Sequence, residues 1–564
     1  MISNDIKLRI EELFSQKKYE EVVKIVDESI ETKDIPPGLF SLIGTCKILK
    51  KNRSEEELFS ALDDFEKAYL KGNKSIHSLA GFSNFTLVCL KNIKINKQIN
   101  SYLRKAKKYY YELEKIYEKN EKFLTISLQL FYYFLDYNKE LDILEKLLSL
   151  NNKNKINISK YLFLSNYSYK WSQEEYLTQI LKYSEFFPKY NVKKISRINY
   201  NDNKKINIGF LGKDFNKNHP ITFFIKDLIK KLDTKKFQVH IFSFLKNSQI
   251  DKELEINSVK IYHAATLNNQ ELINLIQEKK IEILFDIMGY TWAERIEILN
   301  SRVSPIQISW LAYLNSIGFK NIDYMIADEN LIKKDEEKFY SEKIIKLPEI
   351  WNAHSGFSHK RNFNRLPSLK NNHFHFGSFN NFKKISNEVV ETWSKILKKV
   401  DNSKLILKSS EISDNEIIMN KFEKFKAHNQ VTILNRSDFP DNLSHLKSYI
   451  NIDLAFDTFP YNGVTTTFEA LWMNVPVLVL QGNNFLSRCG ESIIKNANLN
   501  ELIAKDRDDY VRKAIQLAEN KDKLINIREN IYNKILATPL FDTNKFTKNF
   551  SEILCNLREI AEYE

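Results

Sequence analysis

Three short stretches place charged or proton-transferring side chains where the chain turns from a strand into a helix. The first, Asp457-Thr458-Phe459-Pro460-Tyr461-Asn462-Gly463-Val464-Thr465-Thr466-Thr467-Phe468-Glu469, reads as strand, turn and helix. Gly463 permits a tight turn, and Thr465, Thr466 and Thr467 follow where cap hydroxyls and free backbone N–H groups converge. Such a helix start holds phosphate through oriented donors and the positive end of the helix dipole, and it serves equally as a plain cap. The second, Gly377-Ser378-Phe379-Asn380-Asn381-Phe382-Lys383-Lys384-Ile385, brings a cation to the same cleft. A lysine there can neutralise charge that develops on a leaving diphosphate, a role that a divalent metal plays elsewhere, so no metal motif is required. The third, Lys213-Asp214-Phe215-Asn216-Lys217-Asn218-His219-Pro220, approaches from the opposite side. Its imidazole titrates near neutral pH, which suits His219 to accept a proton or contact a bound sugar, while a loop histidine also serves as a structural group.

The elements that position these residues fall into two regimes. Up to about residue 190 the apolar residues recur at helical spacing, as in Leu8-Ile10-Leu13 and Tyr19-Val22-Val23-Val26-Ile30. Tyr19–Ile25 and Leu62–Tyr69 resemble two copies of one helix type about forty residues apart, the pattern of a degenerate helix-hairpin array. Stacked pairs of this kind present a curved surface that holds extended peptides, or they simply pack on a neighbouring domain. After the polar stretch 199–204, β-rich runs alternate with helical ones: Lys205–Leu211, Phe237–Ser243 and Ile281–Ile287, with helices near 220–232 and 269–279 between them. The alternation restarts at Phe374–Phe379 and continues through 404–407, 431–434, 453–456 and 475–480. The aperiodic stretch Phe357–Pro367 reads as the linker between two α/β sheets. The expected fold class is α plus α/β: a helical, repeat-like domain over 1–195, then Rossmann-like domains over 200–365 and 366–564, with a ligand cleft at the carboxyl ends of their strands.

Bulk properties bound the function. A hydrophobic fraction of 43% supplies core material for several domains. The net charge of +13 arises from 85 basic and 72 acidic residues interspersed along the helical stretches, the signature of a lysine-rich solvated surface rather than of nucleic-acid binding. Cys46, Cys89, Cys489 and Cys555 lie far apart, which suggests neither a disulfide framework nor a zinc site and fits a reducing compartment. The polar N-terminus and the lack of an apolar run of membrane-spanning length make a cytoplasmic protein the expectation.

Taken in order, Asp214-Phe215 through His219-Pro220, Gly289-Tyr290-Thr291, Pro305-Ile306-Gln307 with Trp310, Asp323-Tyr324, Tyr340-Ser341-Glu342-Lys343, Phe379-Asn380 with Lys384, and Asn462-Gly463 with Thr465-Thr466 resemble the catalytic half of the O-linked N-acetylglucosamine transferase and Spindly family. The resemblance covers about residues 200–560 and implies paired Rossmann-like domains in the GT-B arrangement, with tetratricopeptide repeats usual ahead of them. It implies that Lys384 contacts the diphosphate, that Thr465 and Thr466 bind it at the helix start together with the Asn462-Gly463 turn and Thr467, and that His219 faces sugar and acceptor. Asn381 takes the position of a side chain near the phosphates, His445 that of a histidine in the nucleotide pocket, and Glu469 that of an acidic group on the ribose. Asp286 is placed on the cleft floor as a proton relay. Two departures stand out: Val464 replaces a histidine that stacks on uracil in animal members, and an arginine of the base pocket falls near Lys447 or Ser448. The N-terminal repeats also lack the small-residue spacing of tetratricopeptide arrays.

The resulting expectation is an inverting, metal-independent transfer of a sugar, N-acetylglucosamine from UDP-N-acetylglucosamine by first choice, onto Ser or Thr of a protein held by the cleft and the helical domain. No cofactor, bound metal, nucleic acid or membrane span is expected. Branches of the superfamily use other donors, and Asn of a protein or a surface glycan is the alternative acceptor. A non-catalytic helical scaffold is the rival from another class.

Overall fold

The structure, a computed structural model, describes residues 4–29, 35–50, 54–72, 82, 97–193, 205–217, 219–246, 249–256, 258–292, 295–357, 359–409, 414–439 and 441–563. Cys89, Asn218 and the expected boundary at 199–204 lie outside the described residues. The chain forms two compact units, one of residues 1–151 with 412–417 and the other of residues 152–411 with 418–564.

The first unit is helical, from Asn4–Ser15 through Tyr137–Leu150. Helices Pro37–Leu49 and Glu55–Lys71 pack side by side, and the crossing is close because Gly44 faces the Phe65 ring, where a Cβ would come within 2.6 Å of that ring. Ser54 and Glu57 form a reciprocal capping box that fixes where the second of these helices begins. The two stretches that resemble each other in sequence occupy different places: Tyr19 opens its helix, Tyr19–Ser29, whereas Leu62 to Tyr69 lies in the second half of Glu55–Lys71.

The second unit contains two sheets. Among the described residues the first has seven strands, β1 (Ile206–Gly212), β2 (Phe237–Ser243), β3 (Val259–His263), β4 (Ile283–Asp286), β5 (Ile306–Ser309), β6 (Tyr324–Asp328) and β7 (Lys343–Leu347), in the order β3-β2-β1-β4-β5-β6-β7. The second has six, β8 (Phe374–Ser378), β9 (Ser403–Ser409), β10 (Val431–Asn435), β11 (Leu454–Phe456), β12 (Val477–Leu480) and β13 (Ile503–Ala504), in the order β10-β9-β8-β11-β12-β13. Every pairing is parallel, with Ile206 level with Phe237 and Ile208 level with Ile283. Central strands such as β4 and β12 are buried along their whole length, which is why their sequences are unbroken apolar runs rather than alternating ones. In each sheet the chain order reverses beside the first strand, at β1/β4 and at β8/β11, and such switch points open a crevice at the carboxyl ends of the strands.

Two segments pack outside the domains to which their sequence positions point. Helices Lys155–Ser165 and Gln173–Ser184 belong to the unit of the two sheets, not to the helical unit, which ends at Asn151. They are tied there by polar side chains: the hydroxyls of Tyr176 and Tyr313 are 2.5 Å apart, and Asn315 Nδ2 donates to Asn166 Oδ1 at 2.8 Å. The last helix, Thr543–Tyr563, returns to the first sheet, because Phe546 and Phe550, one turn apart, meet Trp310, and Phe550 also meets Phe285. Phe357 and residues 359–366 are irregular, and Arg361 anchors them by donating to the carbonyls of Trp472, Ile531 and Tyr532.

Candidate functional site

A cavity of 430 Å³ opens at the two switch points. From the first sheet it is lined by Lys213, Asp214 and His219 after β1, Thr291 after β4 and Leu311 after β5. From the second it is lined by Asn380, Asn381 and Lys384 after β8, and by Tyr461, Val464, Thr465 and Thr466 after β11. The three chemistry-bearing stretches read from the sequence therefore converge on one hollow.

Lys384 ends a short 3₁₀ turn whose entry Asn381 caps by accepting from Lys383 N at 2.9 Å. Its ammonium donates to the carbonyl oxygen of Asn462 at 2.7 Å and stands 4.3 Å from the centre of the Tyr461 ring. Burial pulls its pKa down to about 8, against the opposing pull of the Asp457 carboxylate. Asp457 is fully buried at the end of β11, and burial raises it to about 7. Its Oδ1 accepts from the backbone N–H of Gly463 at 2.7 Å and of Thr458 at 2.8 Å, and from Asn380 Nδ2 at 3.3 Å. This aspartate organises the turn, a role that sequence reading missed. The available signal was a strand-terminal acid six residues before a required glycine. Gly463 cannot be replaced without disturbance, because a Cβ there would sit 2.4 Å from Thr466 Oγ1 and 2.6 Å from Asn380 Oδ1.

The helix Thr465–Trp472 has Val464 as its N-cap, and no side chain caps it. The threonines are thus first-turn residues rather than caps, which leaves the helix start turned to the cavity without a capping acceptor. Thr465 and Thr466 line the hollow, and Thr466 Oγ1 donates to Asn380 Oδ1 at 2.9 Å. Thr467 faces inward and donates to the Gly463 carbonyl at 3.3 Å. Asn462 is also engaged within the protein: its Nδ2 donates to the Thr458 carbonyl at 2.7 Å and its Oδ1 accepts from Gly490 N at 3.1 Å. Neither of these two side chains lines the cavity; Asn462 acts through its carbonyl on Lys384.

His219 is the N-cap of helix Pro220–Lys231, with Nδ1 accepting from Ile221 N at 3.4 Å and Nε2 lying 3.5 Å from Asp214 Oδ1. That pattern puts the ring proton of the neutral form on Nε2, facing the acid. Burial lowers the imidazole and raises the Asp214 carboxyl, while each charge opposes the shift of the other. Asp286 departs from its expected position on the cleft floor. It is buried beneath the turn Gly289–Thr291, with Oδ1 accepting from Met288 N at 3.0 Å and Oδ2 from Gly289 N at 3.0 Å, and it is not among the lining residues. Burial raises it to about 6. It shapes the loop that presents Thr291, and Gly289 takes a φ of 52° there, where a Cβ would come within 2.4 Å of Tyr313.

His445 and Glu469 stand behind the helix start in a chain of polar contacts. The Lys408 ammonium reaches His445 Nδ1, His445 Nε2 lies 3.0 Å from Glu469 Oε2, and the Tyr449 hydroxyl donates to the same oxygen at 2.9 Å and to the Thr466 carbonyl at 3.3 Å. Lys408 also faces the Phe439 ring at 4.0 Å. The cation in this region is therefore Lys408, from the end of β9, whereas Lys447 is exposed and Ser448 donates to the His445 carbonyl. Among the described residues no group of three or more His, Cys, Asp or Glu side chains is arranged to hold a metal, and no helix is long and apolar enough to cross a membrane.

A sequence model described as glycosyl transferase family 41 matches residues 181–366 and 359–550. The chain belongs to glycosyl transferase family 41. Every lining residue named above falls within the family 41 ranges, whereas most of the helical unit and helix Lys155–Ser165 precede them. The chain is 28% identical over 361 residues to a Petunia hybrida protein named probable UDP-N-acetylglucosamine–peptide N-acetylglucosaminyltransferase SPINDLY, a match spanning 61% of this chain and 38% of that one. A protein of the same name from Eustoma exaltatum subsp. russellianum is 32% identical over 287 residues, 50% of this chain and 31% of its own. The chain thus spans less than half the length of these curated relatives. A solved structure of a Thermobaculum terrenum O-GlcNAc transferase mutant superposes with a TM-score of 0.72 at 19% identity, covering 90% of this chain and 95% of that one. That likeness establishes the shared fold: a helical region ahead of two Rossmann-like domains in the GT-B arrangement.

Proposed function

We propose that this family 41 chain is an inverting glycosyltransferase that moves a sugar from a nucleotide diphosphate donor to a Ser or Thr hydroxyl of a protein without a metal, with UDP-N-acetylglucosamine as the donor of first choice. One observation carries the reading: the Lys384 ammonium and the uncapped start of helix Thr465–Trp472 line the same cavity, with His219 on its other wall. A donor seated there has its diphosphate between a cation and the positive end of a helix dipole. The acceptor oxygen attacks the anomeric carbon, the bond from that carbon to the phosphate oxygen breaks, and the bonding pair leaves on the diphosphate toward Lys384 and Thr466. One displacement inverts the anomeric centre and forms no sugar–enzyme bond.

The proton lost by the acceptor goes to His219 or to water. In the tautomer described above Nε2 already carries hydrogen and Nδ1 accepts from Ile221 N, so His219 takes a proton only after the ring exchanges tautomer or releases that long cap bond. His219 therefore suits sugar and acceptor contact at least as well as it suits base catalysis. The protein acceptor is supported by the names of the curated relatives, which describe a peptide as substrate.

A thermal-shift screen across nucleotide sugars tests the donor, since a ligand at about 100 times its Kd stabilises by ~2.7 kcal/mol. Mass spectrometry of a peptide mixture incubated with the stabilising donor tests the acceptor. A donor that binds and yields a glycan product, with no modified peptide, overturns the protein-acceptor reading. Substituting Lys384→Ala is expected to cut transfer ~10²–10³-fold with the fold intact, and a variant at wild-type rate overturns the leaving-group assignment.

A further inference from the structure

The Tyr461 ring beside the cation of the proposed site has a neighbour from an unexpected part of the chain. Asn166, Tyr167 and Ser168 follow helix Lys155–Ser165, ahead of the residues that match the family and before either sheet. The Tyr167 ring lies against the Tyr461 ring, with centroids 4.6 Å apart and planes tilted by 36°, and the Phe163 ring backs Tyr167 edge-on at 5.5 Å. Tyr461 in turn presents its ring to the Lys384 ammonium at 4.3 Å. An aromatic file thus runs Phe163, Tyr167, Tyr461 and ends on the cation. Its base is fixed, because Asn166 donates to the Tyr313 hydroxyl at 3.3 Å and exchanges a further bond with Asn315.

We propose that Tyr461 and Tyr167 are positioning residues for Lys384: the Tyr461 ring is one wall of the ammonium's pocket, and Tyr167 holds that wall in place. The inference rests on the reading of Lys384 as the leaving-group cation. An ammonium has three donors. One is spent on the Asn462 carbonyl and one faces the π-cloud of Tyr461, which leaves one for an anion in the cavity that Lys384 lines. The charged or ionisable groups facing Lys384 are Asp457 and Cys489, both fully buried and away from the cavity, and Tyr461, which lines it. Without the ring, water reaches the ammonium and its long side chain gains rotamers that no longer aim at the leaving group.

The test is steady-state kinetics of the full chain across pH, with the donor identified by thermal shift, for Tyr461→Leu, Tyr461→Phe, Tyr167→Ala, Tyr167→Phe and the double variant Tyr461→Leu/Tyr167→Ala. The expected result is a loss in kcat of about tenfold for Tyr461→Leu and a smaller loss for Tyr167→Ala, with donor KM little changed. Both leucine and alanine variants move the alkaline limb of kcat/KM upward, the two phenylalanine variants recover most of the lost rate, and the double variant is no slower than Tyr461→Leu alone. Wild-type kcat and an unmoved alkaline limb in Tyr167→Ala overturn the proposal, as does a double variant whose losses multiply. If Tyr461→Leu does not fold, Tyr167→Ala against Tyr167→Phe decides alone, because Tyr167 is outside the cavity. Lys384→Ala run in parallel separates the two readings: wild-type activity there sinks the site, whereas an inactive Lys384→Ala beside unaltered tyrosine variants sinks only this inference.

Discussion

Binding of a diphosphate to this site should draw protons from solution, and the amount follows from Lys384. Its pKa falls from 10.5 to about 8 on burial, an ammonium penalty on the order of 3 kcal/mol that a bound anion offsets. In the free protein about half of the molecules hold Lys384 neutral at pH 8 and about a tenth at pH 7. A nucleoside diphosphate restores the charge, so binding takes up about half a proton at pH 8 and about a tenth at pH 7. The sign is fixed by the direction of the shift: a lysine lowered in the free state and raised in the complex gains hydrogen on binding, and affinity weakens as pH rises through about 8. The assay is calorimetric titration of uridine diphosphate in two buffers that differ in ionisation enthalpy, at both pH values. Asp457, raised to about 7, faces the same ammonium and can contribute its own protons, so the measurement is repeated on Lys384→Met and the difference is assigned to Lys384. Equal uptake in the wild type and in Lys384→Met, or none at pH 8, refutes the argument.

Other expectations are simpler to check. Thr466→Val removes the hydroxyl bonded to Asn380 and should raise donor KM ~3–10-fold with a smaller change in kcat, measured by initial rates. Gly463→Ala drives a Cβ into Thr466 and Asn380 and should abolish donor-induced stabilisation in a melting assay while the protein still unfolds cooperatively. Asp286→Asn turns an amide donor toward the N–H groups of Met288 and Gly289; it should cost ~1–3 kcal/mol of stability, read as a lower Tm. A rate loss in that variant far beyond its stability loss would return Asp286 to the role of proton relay. Transfer should also persist in excess chelator, and loss of activity restored by a divalent ion would end the metal-free reading.

The sequence disclosed most where local pattern and chemistry agree. Phe237–Ser243 and Val431–Leu434 are legible as strands because β-branched and aromatic residues run together between turn residues, and Lys384, Thr466 and His219 are legible because each follows such a strand directly. Strand Val259–His263 is not legible in the sequence, being a half-exposed edge whose Lys260 breaks the apolar run. Tyr461 and Lys408 are hidden for another reason: their importance comes from Lys384 and His445, distant in sequence, and no local pattern encodes such pairings. Asp286 was misplaced because a strand-terminal acid looks the same in sequence whether it faces the cleft or caps the loop behind it.

The returning helix Thr543–Tyr563 bears on how this chain comes off the ribosome. Trp310 and Phe285 complete their cover only when Phe546 and Phe550 have been made, although Phe210 already stacks on Phe285, and helix Pro220–Lys231, which carries His219 at its head, also rests against the late segment. The half of the molecule translated earlier thus completes its surface later than the half translated after it, and holds bare aromatic rings through the interval. Removing helix Thr543–Tyr563 while keeping Phe541, which packs on Phe468 and Trp472, should accordingly injure the His219 wall while sparing the Lys384 wall, a lesion far in sequence from its effect.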